Sequence, residues 1–173
     1  MSTIGEIFDR VLAGGLRPGA VTGADPVAIV QAADTQRVAR IPAAVEAVWR
    51  LVGGDPGPWW MGSKAAVSGL DGEIKELALE TLDYVEGDLR DPKGLLVLLI
   101  HGADEFHVVD GADLALPDPP VWLVQDGRPL TAPWPTVTAW FESAAADVLR
   151  HRDLLRETLA EGGSSSTAAY FVL

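Results

Sequence analysis

Apolar residues in the first half of the chain recur at helical spacing. Ile4, Ile7, Phe8, Val11 and Leu12 fall on one side of a helix that Gly14-Gly15 ends. After the loop "GGLRPGAVTG", Asp25-Pro26 provides a cap and a first-turn proline, and Val27, Val30 and Val38 mark the apolar side of a second helix. "IPAAVEAVWRLVGG" predicts a third helix with Val45, Val48, Trp49 and Val52 on one face and a stop at Gly53-Gly54. "DPGPWWMGSK" is dense in proline and glycine and reads as a loop. "DGEIKELALETLDYVEGDLRD" reads as an amphipathic helix, with Ile74, Leu77, Leu82 and Val85 near its apolar face and Gly87 past its end.

The pattern then changes. "GLLVLLIH" is too short and too uniformly apolar for a surface helix and reads as a buried strand. "EFHVVD" and "PVWLVQDG" read as two more strands, with Pro117, Pro119 and Pro120 between them. "KAAVSGL" leaves room for a further strand. "TVTAWFESAAADVLRHRDLLRETLAE" is a long helix or a pair, capped by Thr136 or Thr138, with Trp140, Phe141, Val148, Leu149 and Leu155 facing the core. "GGSSSTAA" has the composition of a flexible linker, and the apolar "YFVL" after it docks on its own core or on a neighbour. Helices, then strands, then helices predict an α+β fold: a small, mainly antiparallel sheet with helices over one face. Residues 1–160 form the expected single domain, with 1–40 as an N-terminal helical extension and 161–173 as a flexible tail.

The 173 residues are 48% hydrophobic and 22% charged, enough for one domain with its own core. No apolar run of about 18 residues occurs. The start "MSTIGEIFDRVLAGG" places Glu6 and Asp9 before Arg10, unlike a secretory leader, so a cytoplasmic protein is expected. The absence of cysteine excludes disulfides, thiol catalysis and cysteine-held zinc. Net charge is −12, and it is uneven: residues 71–126 hold 14 Asp or Glu against Lys75, Arg90 and Lys93. Such a region repels phosphate backbones, so nucleic-acid binding is not expected, and it attracts a basic partner.

Candidate chemistry is sparse. "GPWWMGSK" has the glycine spacing of a phosphate loop but ends in Ser-Lys, with the last two residues in the wrong order. A helix precedes it, and Pro58 removes one N–H, so a structured loop pinned by Trp59 or Trp60 is the simpler reading. His101 and His107 stand six apart, with Asp104 and Glu105 between them and Asp110 following. That spacing fits no helical metal-ligand pattern. On a hairpin, a turn that sets His101 opposite His107 puts both on one face. A two-residue turn instead pairs His101 with Phe106 and sends His107 to the other face. A small hydrolase or metal-dependent enzyme using these histidines and nearby carboxylates is the alternative function. Ser63, Ser68 and Ser143 sit in no nucleophile motif, and no catalytic residue, cofactor or metal is expected.

Six tryptophans are many for this length. Trp49, Trp122 and Trp140 lie within apolar patterns and belong to the core. Trp59, Trp60 and Trp134 lie in loops, where tryptophan is either pinned inward or used as a binding anchor. The candidate interaction surface therefore combines Asp104, Glu105, Asp110, Asp113 and Asp118 with Trp59, Trp60 and Trp134.

The order of these segments resembles the SUKH superfamily, which groups bacterial toxin-immunity proteins with fungal cell-wall-synthesis regulators. "IPAAVEAVWRLVGG" is similar to the family's opening helix, with its Ile-Pro start, aromatic residue and glycine stop. "LLVLLIHGADEFHVVDG" is similar to its central hairpin, and "PPVWLVQDGRP" followed by "TVTAWFESAAADVL" to its later strand and closing helix. The match covers residues 41–149. The resemblance implies an α+β fold without catalytic residues and function by protein binding. An immunity-like protein would neutralise a basic toxin, such as a nuclease, by occluding it. A general regulatory scaffold is a further alternative.

Overall fold

The computed structural model describes residues 2–173. Five α-helices and a five-stranded antiparallel sheet give an α+β fold. Helix α1 (Ile4–Ala13) starts in a capping box, in which the Thr3 hydroxyl accepts from Glu6 N–H and the Glu6 carboxylate accepts from Thr3 N–H. Helix α2 (Pro26–Thr35) is capped by Asp25 through Ala28 N–H. Helix α3 (Ala43–Val52) buries Val45, Val48, Trp49 and Val52 as its spacing predicts. Strand β1 (Ser63–Lys64) is two residues long and precedes α4 (Gly72–Leu82), which Asp71 caps. Strands β2 (Leu96–His101), β3 (Glu105–Val109), β4 (Val121–Gln125) and β5 (Thr131–Trp134) follow. Helix α5 (Val137–Ala160), capped by Thr136, closes the domain as one continuous helix.

The strand order is β1-β2-β3-β4-β5, a plain meander. Phe106, His107, Val108 and Val109 are all buried, so helices and loops cover both faces of the sheet rather than one. Helices α1, α3 and α5 pack together, and α4 lies against β2 and β4. Residues 2–40 contribute to the core. Ile7 and Val11 of α1 have no exposed surface, and Gln36 just past α2 reaches into the sheet. Val27 and Val30, expected on the apolar side of α2, are exposed, and Ile29 and Ala32 are the buried pair. Leu77 is likewise exposed, and α4 stops at Leu82, leaving Val85 in the turn beyond. No helix among the described residues is long and apolar enough to cross a membrane.

Strand β1 pairs only with Ile100 and His101, so the rest of β2's outer edge needs other partners. Gln36 supplies them. Its side-chain oxygen accepts Val97 N–H at 2.8 Å, and its NH₂ donates to Val97 O at 3.2 Å and Leu70 O at 3.0 Å. These bonds sit beside a bulge, because β2 carries one extra residue between Val97 and Leu99.

The tail expected to be flexible is docked on its own chain. Ser166–Tyr170 forms a 3-10 turn, Phe171 is buried, and Phe171 bridges to Leu16. Arg17 Nε donates to Phe171 O at 2.8 Å, and Val172 N–H to Gly15 O at 2.7 Å.

Candidate partner-binding surface

Two of the acids expected on the surface lie inside. Asp110, at the end of β3, has no exposed area. Its carboxylate accepts Arg90 N–H at 2.8 Å, Asp91 N–H at 2.9 Å and Ala112 N–H at 3.0 Å. Asp113 is buried as well and pairs with the Arg90 guanidinium, which is itself largely in solvent. A carboxylate that satisfies three backbone donors holds chain segments in place and has no face left for a partner. Asp110 ties residues 90–91 to the end of β3, where Gly94 and Gly111 pack so closely that a Cβ on Gly111 would lie 2.6 Å from Asp91 O. Asp118 is also structural: its carboxylate accepts Thr138 N–H at 3.0 Å in the first turn of α5.

The β2–β3 hairpin adopts a register outside the two considered from sequence. His101 faces Glu105, Ile100 faces Phe106, and Leu99 faces His107 across a three-residue turn, with Gly102 at φ 62°. His101, Glu105 and His107 therefore share one face of the sheet. They do not act as one centre. His101 Nδ1 lies 2.9 Å from Ser63 Oγ, a pair that the β1–β2 register creates and that no local motif signals. No carboxylate hydrogen-bonds His101 among the described residues. His107 is buried, and its Nδ1 accepts Trp140 Nε1–H at 2.9 Å while Nε2 lies 3.4 Å from Glu105 Oε1. No group of three or more His, Cys, Asp or Glu among the described residues is placed to hold a metal ion. Asp104 stands exposed in the turn, and Glu105 is half-buried beside His107.

Burial lowers the His107 pKa from 6.5 to about 4, with Glu105 opposing the shift and His101 adding to it. Protonation would also place an N–H on the nitrogen that receives the Trp140 bond. The unfolded chain binds this proton more readily, so the folded state loses stability as pH falls from 6.5 toward 4. Between about pH 7.5 and about pH 5 the loss due to His107 is expected to be about 2 kcal/mol. Urea unfolding of the wild type and His107→Gln at both pH values checks this; equal pH dependence in the two proteins refutes it.

The tryptophans divide differently from the expectation. Trp59 is a core residue, 1% exposed, stacked at 4.3 Å on Phe141 and at 6.3 Å on Phe8. Trp60 is half-buried, has φ 48° and stacks on Trp140 at 4.4 Å. The phosphate-loop-like glycine before them, Gly57, has φ 53°, and a Cβ there would meet Ala20 O at 2.1 Å. That position needs glycine for backbone approach within the fold. Trp134 ends β5, half-buried, with its ring 4.7 Å from His107. It belongs to a strand, not a loop. These three rings pack against their own domain.

The acidic surface lies elsewhere. Between the second half of α4 and residues 85–93 is a cleft of about 600 Å³. Leu79, Leu82, Val85 and Leu89 give it apolar lining, and Glu76, Glu80, Asp83 and Asp88 surround them. None of these four acids forms an ion pair among the described residues. Tyr84, in the turn after α4, is 80% exposed. The Asp110 bonds fix Arg90 and Asp91 in the segment that walls the cleft, and Leu130 N–H anchors Glu86 O at 2.8 Å. None of the eight residues expected to meet a partner lines this cleft. What the chain's acidity did signal is the region: all four carboxylates lie within 71–126. Comparison with protein-family models, curated proteins and solved structures finds no match to this chain.

Proposed function

We propose that this chain is a cytoplasmic, non-catalytic binding module of SUKH type that neutralises a basic protein, such as a nuclease, by covering its cationic surface. The observation that carries this reading is the cleft beside α4. It combines four unpaired carboxylates and Lys93 with apolar lining, and Tyr84 stands exposed beside it in the turn after α4. Unpaired acids raise the rate of encounter with a basic partner. Apolar lining and an aromatic anchor supply the part of affinity that charge does not. The buried cost is small, because the acids stay at a solvated rim.

The test is capture of a partner by the immobilised chain at low salt, with the triple variant Glu80→Lys, Asp83→Lys, Asp88→Lys as comparison. The expected partner is basic, dissociates as salt rises, and binds the triple variant about 100-fold more weakly. Tyr84→Ala is expected to weaken it about 30-fold without moving the melting temperature, since the ring lies in solvent. A partner that is acidic, or indifferent to salt and to the triple variant, overturns the reading.

A further inference from the structure

The cleft does not end at Glu76. A second cavity of about 340 Å³ shares Glu76, Leu79 and Lys93 with it and continues along α4 to Gln36, Arg37 and Lys75. The result is one groove with Glu80, Asp83 and Asp88 toward one end, Arg37 and Lys75 toward the other, and Glu76 and Lys93 in the stretch that both share. Two of the chain's three lysines line the second cavity together with Arg37, Lys93 at the shared stretch and Lys75 beyond it. In a chain with 25 acids and 13 bases, cations are readily neutralised by neighbours. None of Arg37, Lys75 and Lys93 has a carboxylate within ion-pair distance among the described residues.

Lys75 is 6% exposed, and its Nζ donates to Gln36 O at 2.6 Å. That bond uses one of three ammonium protons. Burial lowers the Lys75 pKa, Asp91 opposes this, and Arg37 adds to it. An incoming anion would offset both the cost of holding this charge away from water and the repulsion from Arg37. Arg37 has φ 51°, a conformation costly for a residue with a Cβ, and it stands at the rim of this end of the groove.

We infer that the groove takes the C-terminal segment of a basic partner polypeptide, the chain-end carboxylate held by Arg37, Lys75 and Lys93 and upstream Lys or Arg side chains by Glu80, Asp83 and Asp88. The inference rests on the protein-binding reading of the cleft and gives that partner a recognisable end. The spacing follows from α4 as a ruler. Lys75 and Asp83 are separated by about 12 Å at an axial rise of about 1.5 Å per residue. An extended peptide advances about 3.3 Å per residue, so the basic side chains belong three or four residues before the carboxylate. Apolar side chains between them would rest on Leu79, Leu82 and Leu89.

The experiment is fluorescence polarisation with labelled octapeptides that carry lysines three and four residues before the last and leucines between. One is made with a free carboxylate, one as the C-terminal amide, and one with the lysines exchanged for glutamates. The acid form is expected to bind at least about 10-fold tighter than the amide, as a charge-assisted contact provides. The glutamate form is expected not to bind. Lys93→Glu, an exposed substitution, should erase the preference for acid over amide. Lys75→Met should do the same, and its melting temperature shows whether it folds. Equal binding of acid and amide overturns the inference, as does displacement of the peptide by inorganic phosphate at concentrations near the peptide's own Kd. Failure of every peptide at millimolar concentration also overturns it. If the acid and amide bind equally and the triple Lys variant abolishes both, the basic-partner reading stands and only the chain-end contact falls.

Discussion

Asp110→Ala is expected to lose about 4 kcal/mol of folding stability and about 12 °C of melting temperature. Three backbone N–H groups, those of Arg90, Asp91 and Ala112, share this one carboxylate. Each unmade buried bond costs about 1–3 kcal/mol, and water entering beside Arg90 offsets part of the sum. Asp110→Asn should not rescue fully, because one carboxylate oxygen becomes an NH₂ group facing N–H donors. Thermal unfolding of the two variants checks both statements. The wall of the cleft should loosen with them, so hydrogen exchange at Arg90 and Asp91 should quicken more than at Phe106 in the sheet centre. Wild-type stability in Asp110→Ala would show that the segment is held by other means.

Gln36→Met is the second large effect, expected at about 3 kcal/mol. The substitution keeps side-chain volume, so the loss isolates the hydrogen bonds. Val97 N–H, Val97 O and Leu70 O would all lose the amide that now meets them in a site with no solvent. The urea midpoint reads the total, and exchange protection at Val97 N–H reads the particular bond. A shifted midpoint with unchanged protection at Val97 would mean that the cost arises from packing instead. Gln36→Ala should be worse still, since it adds a cavity to the unpaired groups.

These two residues also show where the sequence is opaque. Hydrophobic periodicity locates α1, α3, β2, β3, β4 and α5, because each buries a stripe or a run that its own residues announce. It picks the wrong side of α2, where valine, isoleucine and alanine surround most of a ten-residue helix and the decisive buried side chain, Gln36, lies just past its end. Strand β5 reads as loop because Thr-Ala-Pro-Trp is short and contains a proline, which suits an edge but gives no alternation. The candidate site fails in the same manner. Asp83, Asp88, Asp110 and Asp113 are alike in a charge count, yet two face solvent and two are buried. What separates them is a crossing of residues 90–91 over the end of β3, about twenty positions apart in the chain and invisible to any local window. The region of excess charge was legible; which acids face outward was decided by tertiary packing. The aromatic loops misled similarly, since Trp59 and Trp60 find partners on α1 and α5, far along the chain.

The two borders of the meander bear on how any partner can approach. Strand β1 offers two residues, and the Gln36 amide occupies the neighbouring stretch of β2. At the opposite border, β5 carries an extra residue relative to β4 and includes Pro133, which has no N–H to give. Neither border presents a long, unbroken row of main-chain donors and acceptors. Strand addition, the mode by which many domains capture an extended peptide, meets only short and interrupted borders here, as does the edge-to-edge stacking that begins fibrils. The binding proposed above would then rest on side chains, among them those that line the cleft beside α4.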